Sequence, residues 1–414
     1  MDNLLAAARQ FTPQGLVLDV REYGNGNVND TFLVTVGRVV VRGTHPTLPS
    51  VATKHEDEIG IKVLPKTEDR EPKTAFIPPP DSEGESRFIL QRLNTRVFQR
   101  PELVMGNLRA VTEHVQARLA AAPVTPGRRW ELPRMLLTQD DRDHWIDLAG
   151  SFWRALSFIE AAQTFDTIGD TDHAKEVGYA LGLFHKLLSD LPPERLSDTL
   201  PGFHLTPVYL RRHDEVMAKN RGKKSPEADF CIRFVDARRT LAPVLEDAKA
   251  HGKLRLRPIH GDPKVNNVMM DAAARLAVGL VDLDTVKPGL VHYDIGDCLR
   301  SGANPLGEET QDWEAVRFDL ELGRAILQGY LSQARDFLTE YDYAYLYDAI
   351  RVIAFELGLR FFTDYLEGNV YFKARRPDHN LARALVQFRL TESIESQETV
   401  IRAIILEESS GLKR

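Results

Sequence analysis

The opening part of the chain reads as strand. Leu16 to Val20, Thr31 to Val36 and Val39 to Arg42 are rich in aliphatic and β-branched residues and are separated by connections containing Gly or Asn, the pattern of a twisted antiparallel sheet. From Thr44 to Ser86 it gives way to Pro, Glu, Lys and Asp, with Pro78-Pro79-Pro80 and a polar run from Asp81 to Ser86. That composition buries little apolar surface and reads as a mobile insertion, in which only Ile59 to Leu64 has strand character. Order resumes at Phe88-Ile89-Leu90-Gln91 and leads into a helix predicted over Pro101 to Leu119. There Leu103, Asn107, Val111 and His114 share a face, and Pro101 sits where a helix would begin. Trp145 to Leu148 and Phe152 to Ile159 are strand-like again.

Beyond Asp172 the apolar positions recur at helical spacing. Val177, Ala180, Leu181, Phe184, Leu187 and Leu188 make one stripe, and Leu381, Leu385, Phe388 and Leu390 another. One island of strands interrupts the helices: Leu254 to Ile259, Asn267 to Met270 and Leu276 to Leu283. The change of texture near Ile159-Glu160-Ala161 marks a boundary. The expected architecture is α+β with two lobes: residues 1–159, a sheet plus one helix carrying the 44–86 insertion, and residues 160–414, larger and mainly helical. A length of 414 residues suits two lobes.

Composition narrows the function classes. A formal net charge of -7 offers no basic field for wrapping nucleic acid. The first residues lack a basic n-region and no apolar run reaches membrane-spanning length, so the expectation is a cytoplasmic protein without a membrane partner. The cysteines, Cys231 and Cys298, have no CxxC or His-rich spacing and read as buried or inert thiols.

The strongest chemical signal is Ile259-His260-Gly261-Asp262-Pro263-Lys264-Val265-Asn266-Asn267, followed by Gly279-Leu280-Val281-Asp282-Leu283-Asp284. A loop carboxylate, an amide five residues later and a second carboxylate after the next hairpin strand match the kinase set of base, metal-binding Asn and metal-binding Asp. Phosphoryl transfer needs that set. The acceptor hydroxyl must be oriented and relieved of its proton, and Mg²⁺ prefers oxygen ligands while neutralising the β- and γ-phosphates of ATP. Asp262 takes the base role, with Asn267 and Asp282 on the metal. Asp284 either adds a metal contact or fixes the loop. The second signal is Tyr23 to Phe32, where Gly24 and Gly26, with Asn29 and Thr31, lie between two strands. This arrangement lets backbone N–H groups approach phosphates, and equally makes a hairpin turn.

These residues resemble the aminoglycoside phosphotransferase-like kinases, whose catalytic loop begins His-Gly-Asp, and most closely the N-acetylhexosamine 1-kinases. The blocks carrying the resemblance are Tyr23 to Leu33, Phe88 to Asn94 with Val97-Phe98, Trp153-Arg154 to Glu160, His260 through Gly302, and Glu356 to Phe372. The resemblance implies a protein-kinase-like fold, ATP and Mg²⁺ as cofactors, and phosphorylation of the anomeric hydroxyl of N-acetylglucosamine or N-acetylgalactosamine. It places Lys264, Arg300, Arg360 and Asp364 around the sugar, although each also fits a salt bridge within the helical lobe. Where ordinary kinases carry a third-strand Lys, this chain has Gln91 and Arg92. An alternative alignment gives that role to Arg42. The hinge falls at Ile159-Glu160-Ala161, whose backbone, Glu160 included, would receive the adenine edge, with Phe158 and its neighbours as an apolar floor. Acceptors bearing an amine, such as aminoglycosides, choline or homoserine, and a nucleotide-binding scaffold without transfer are the competing readings.

Overall fold

The computed structural model describes residues 2–12, 15–24, 28–38, 85–122, 127–219 and 225–410. The predicted strand Val39 to Arg42, the segment Ile59 to Leu64 and all of the expected insertion except Glu85 and Ser86 lie outside the described residues. Those two residues already belong to a strand. The chain divides into two compact units, one of Met1–Pro101 with Pro133–Phe158 and the other of Glu102–Leu132 with Ile159–Arg414.

The first unit contains α1 (Asp2–Gln10), β1 (Gly15–Glu22), β2 (Asp30–Arg38), β3 (Glu85–Leu93), β4 (Met135–Leu136), β5 (Trp145–Ile146) and β6 (Phe152–Ser157). They form an antiparallel sheet in the order β1-β2-β3-β6-β4, with β5 also paired to β6. Alternation decides its faces. Val17, Val20, Val34, Val36, Phe88, Leu90, Trp153 and Ala155 pack as one cluster with Ala7, Ala8 and Phe11 of the α1 region. The apolar residues near the N-terminus thus serve as the cover of one sheet face.

The second unit contains α2 (Pro101–Ala121, from Glu102), β7 (Ala162–Gln163), α3 (Thr171–Leu187), α4 (Thr206–Lys219), α5 (Pro226–Ala237), α6 (Val244–Ala250), β8 (Arg257–Ile259), β9 (Val268–Asp271), β10 (Ala277–Leu280), β11 (Lys287–Gly289), α7 (Val291–Gly302), α8 (Leu320–Ala334), α9 (Glu340–Ala344), α10 (Leu346–Glu367), α11 (His379–Ser396) and α12 (Glu398–Ser409). The expected partition is thereby changed at one helix: α1 accompanies the sheet, and α2 groups with the helical unit. Asn107 shows why. From the buried face of α2 its Nδ2 donates to the carbonyls of Ser197 and Val286, both at 2.8 Å, and its Oδ1 accepts from Ser197 N.

Helix α3 buries its predicted stripe and is packed so closely on α8 that a Cβ at Gly178 would lie 1.9 Å from the carbonyl oxygen of Ile326. Helices α5, α10 and α11 share a second core in which Cys231, Phe234, Phe355, Phe362 and Phe388 are buried. Both cysteines are free and buried, and burial pushes their thiols up. No helix among the described residues is long and apolar enough to cross a membrane. The α+β class, with an N-terminal antiparallel sheet and a mainly helical remainder, is the expected one.

Candidate active site

The loop from His260 to Asn267 leaves β8, which pairs with β11, and enters β9. Every backbone donor and acceptor from His260 to Asp262 has a partner. Asp294, in the first turn of α7, accepts from His260 N at 2.6 Å and Gly261 N at 2.8 Å. Thr285 Oγ1 donates to His260 O at 2.8 Å, His204 Nε2 donates to Gly261 O at 2.7 Å, and Asn267 Nδ2 donates to Asp262 O at 2.7 Å. His260 completes the set: its Nε2 donates to Val281 O at 3.0 Å and its Nδ1 accepts from Asp262 N at 3.3 Å. That pattern is a neutral imidazole, in line with burial pushing His260 down. Gly261 has φ +87°, and a Cβ there would stand 2.6 Å from Thr285 O, so the position requires glycine.

The loop presents the Asp262 carboxylate, 28% exposed, with Lys264 Nζ 2.7 Å from its Oδ2. Burial works to raise the Asp262 pKa, but the Lys264 charge holds it below the ordinary range, so the group is ionised at neutral pH. Lys264 is correspondingly held above its ordinary value by Asp262 and then Asp282, against burial. Asn267 spends its amide N–H on Asp262, which turns Oδ1 into the free oxygen of the pair. Asp282, exposed and in the left-handed region at φ 63°, follows β10, and Asp284 is buried at 2%. Two carboxylates and an amide are hard oxygen donors and fit Mg²⁺. No cluster of three or more His, Cys, Asp or Glu suited to a metal occurs among the described residues. The set therefore fits a cation that takes its remaining ligands from phosphate and water, not an all-protein cage.

Of the residues placed around a sugar, Arg300 is buried and paired with Asp297 (2.8 Å) and Glu308 (3.2 Å). Arg360 of α10 is different. Its guanidinium lies 5.0 Å from the Phe203 ring centroid, 4.9 Å from Tyr209 and 5.4 Å from Phe372, and no carboxylate among the described residues pairs with it. Burial pulls its pKa down, but Tyr209, Tyr371, Glu356 and Asp262 together hold it above the usual value. Asp364 departs from expectation. Its Oδ1 accepts from Val370 N (2.9 Å) and Tyr371 N (2.8 Å), its Oδ2 from Phe372 N (3.1 Å) and Asn380 Nδ2 (2.9 Å). Four donors saturate the carboxylate, so Asp364 shapes the loop that carries Phe372 to Arg360 and has no oxygen left for an acceptor.

In the first unit, Gly24 has φ +74° with open space around it, and Gly26 lies outside the described residues. Asn29 Oδ1 accepts from Asn94 N at 2.9 Å. Thr31 Oγ1 accepts from Gln91 Nε2 at 3.1 Å, and Gln91 Oε1 accepts from Arg154 Nε (3.0 Å) and Nη2 (2.7 Å). Gln91 and Arg92 do not serve one ligand together. Successive strand residues face opposite ways, and Arg92 joins Asp30 at 2.6 Å and lies over the Trp153 ring on the face covered by α1. Arg154, quoted with Trp153 for the resemblance but given no role there, is a guanidinium 1% exposed on β6 directly opposite Gln91. The signal was a charged residue inside Phe-Trp-Arg-Ala-Leu-Ser. Arg42 lies outside the described residues. Phe158 meets Tyr23 edge-on at 5.9 Å, with the Arg87 guanidinium 4.7 Å from its ring. The Glu160 carbonyl accepts from Arg129 Nη2 at 2.7 Å. In the second unit Ile159, Met269 and Val278 form a small buried apolar cluster.

Solved structures share this fold at low identity. An aminoglycoside phosphotransferase from Alicyclobacillus acidocaldarius superposes with a TM-score of 0.52 at 15% identity, covering 79% of this chain and 89% of that one. A microcompartment-associated aminopropanol kinase gives 0.52 at 14%, covering 93% of each. A choline kinase from Cryptosporidium parvum gives 0.51 at 14%, covering 95% of this chain and 93% of that one. Residues 80–341, more than half of the chain, match the phosphotransferase enzyme family, and the chain belongs to that family.

Proposed function

We propose that the protein transfers the γ-phosphoryl group of ATP to a hydroxyl of a small molecule, and that the acceptor is the anomeric hydroxyl of an N-acetylhexosamine such as N-acetylglucosamine or N-acetylgalactosamine. The products are the sugar 1-phosphate and ADP. In this reading residues 1–159 form the nucleotide-binding lobe, except that α2 goes with the other unit, and residues 160–414 form the catalytic and acceptor-binding lobe. Asp262 accepts the hydrogen bond of the acceptor hydroxyl, fixes its direction of attack and takes its proton as the new P–O bond forms. Its low pKa suits orientation first and proton uptake late, when the hydroxyl has become acidic. Lys264 holds the carboxylate in place and adds positive charge beside the transferring group. Mg²⁺, held by Asn267 and Asp282 with Asp284 next to them, would neutralise phosphate charge.

The observation that carries the acceptor class is the charge around Asp262. Lys264 and Arg300 are ion-paired, and Arg360 is set among aromatic rings with no pairing carboxylate among the described residues. An ammonium-bearing acceptor would place a like charge beside it. At about 5 Å and an effective dielectric of about 20 that costs about 3 kcal/mol. A neutral sugar offers hydroxyl and acetamido oxygens to the same guanidinium. The test is Mg²⁺-dependent ADP release across N-acetylglucosamine, N-acetylgalactosamine, glucose, galactose, kanamycin and choline, with phosphorus NMR of the product. An anomeric phosphate on an N-acetylhexosamine is the expected result. Preferential turnover of kanamycin or choline would overturn the acceptor assignment.

A further inference from the structure

His204 lies between α3 and α4, 4% exposed, with a left-handed backbone at φ 63°. Its Nε2 is 2.7 Å from the carbonyl oxygen of Gly261, and its Nδ1 is 3.0 Å from Oε1 of Glu356 on α10. A carbonyl and a carboxylate only accept, so both ring nitrogens donate and the ring is an imidazolium. The surroundings agree. Thr206 Oγ1 donates to the other Glu356 oxygen at 2.6 Å, Asp297 of α7 adds negative charge, and the Tyr293 ring stacks on the imidazole at 5.4 Å. Burial works against the charge, and Glu356, Asp297 and the Gly261 carbonyl together more than offset it. A non-glycine residue in the left-handed region persists where its surroundings over-determine it. Here they do so on both sides of the ring.

We infer that His204 is a positioning residue: it bridges the Glu356 carboxylate to the Gly261 carbonyl and so sets the Asp262 carboxylate relative to Arg360. The inference rests on the kinase reading above. Gly261 O belongs to the peptide that joins Gly261 to Asp262, so rotation of that peptide swings the Asp262 side chain. Asp294 and Thr285 hold the backbone groups before it, and His204 holds the last carbonyl before Asp262. On the other side, Glu356 is four residues before Arg360 on α10, one helical turn away. Tyr209 lies close to the His204 backbone, and its ring is 4.9 Å from the Arg360 guanidinium. One residue therefore references the base and the acceptor-side cation to each other.

The test uses full-length His204→Asn, His204→Gln and Glu356→Gln, with Mg²⁺-ATP alone and with N-acetylglucosamine. Asn accepts the left-handed backbone but is too short to reach Gly261. Gln reaches it with one donor. Glu356→Gln keeps both hydrogen bonds with a neutral ring, because the amide N–H donates to Nδ1 while Nε2–H still faces Gly261. We expect His204→Asn to lower kcat about 30-fold or more while the KM for ATP stays within about twofold. His204→Gln recovers part of that loss. In ¹³C-histidine NMR, the His204 imidazolium persists to higher pH in the wild type than in Glu356→Gln. Unchanged kcat in His204→Asn overturns the proposal. A parallel fall in melting temperature, ATP affinity and kcat also overturns it, since that is what a merely structural role produces. If the wild type turns over ATP neither to water nor to any acceptor, the kinase reading itself falls and takes this proposal with it.

Discussion

Asp294→Asn tests the clamp at the start of the His260 to Asn267 loop. Asp294 is completely buried, and its Oδ2 accepts from both His260 N (2.6 Å) and His185 Nε2 (2.9 Å) while Oδ1 accepts from Gly261 N (2.8 Å). Asparagine replaces one of those oxygens with a donor. The better orientation keeps the oxygen on the Oδ2 side and points the new NH₂ at Gly261 N–H, donor against donor. One charge-assisted hydrogen bond is lost and one buried N–H is left unsatisfied, a cost of about 3–5 kcal/mol, the scale of breaking a buried pair. Urea unfolding followed by far-ultraviolet circular dichroism, which reports chiefly on the helical unit, measures it. The effect has a pH signature. Burial works to raise the Asp294 pKa, but the hydrogen bonds it accepts from the His185 ring and the His260 backbone N–H hold it below the ordinary carboxylate range. A carboxyl depressed in the folded state contributes its stability above the unfolded pKa and loses it as pH falls through the folded one. The difference between wild type and Asp294→Asn should be constant from about pH 5 upward and shrink below about pH 4. A difference under about 1 kcal/mol at pH 7, or one indifferent to acid, would refute the reasoning.

The other predictions address the base, the acceptor side and the packing. Asp262→Asn should reduce turnover by about 10² or more with ATP binding nearly unchanged, measured by steady-state kinetics beside calorimetric titration with nucleotide. Loss of nucleotide binding to the same degree would assign Asp262 a structural role. Arg360→Met should lower kcat/KM for N-acetylglucosamine about tenfold without lowering the melting temperature, because it breaks no ion pair among the described residues; an unchanged kcat/KM would remove Arg360 from the acceptor side. Gly178→Ala puts a Cβ 1.9 Å from Ile326 O and must force α3 and α8 apart, costing about 3 kcal/mol or more. Gly106→Ala, on the exposed side of α2 with nothing within 4 Å, should instead gain about 0.5–1 kcal/mol, and equal effects at the two sites would contradict the packing account.

Local pattern made part of this legible. Every member of the Val177 to Leu188 stripe is buried, because a helix face at a period of 3.6 residues is a property of one segment. The spacing of Asp262 and Asn267 is also local: one amide spans the loop to hold the Asp262 carbonyl. The α1 helix was harder, since Ala7, Ala8 and Phe11 carry no distinctive signal until a sheet supplies their partner. Arg92 could have been read correctly. Buried Phe88 and Leu90 fix the phase of β3, and a period of two puts Arg92 with them and Gln91 on the other face. Asp364 could not, because three of its four donors are backbone N–H groups of the following loop, which no side-chain pattern announces.

The motif names the groups that are chemically competent, and distant residues decide how they are held. His204, Asp294 and Glu356, respectively 57, 33 and 95 positions from Gly261, fix the loop directly or through one neighbour. The same network explains why Arg360 is not simply half of a salt bridge, as helix spacing alone would suggest. Its natural partner is Glu356, four residues earlier on α10. Both Glu356 oxygens are occupied, one by His204 and the other by Thr206. Were either donor removed, Glu356 would be free to turn toward Arg360 and quench the cation assigned to the acceptor. In the proposed reading the charge of the acceptor side depends on His204 and Thr206 keeping that carboxylate engaged, and the proposed base and acceptor cation are set by one carboxylate between them.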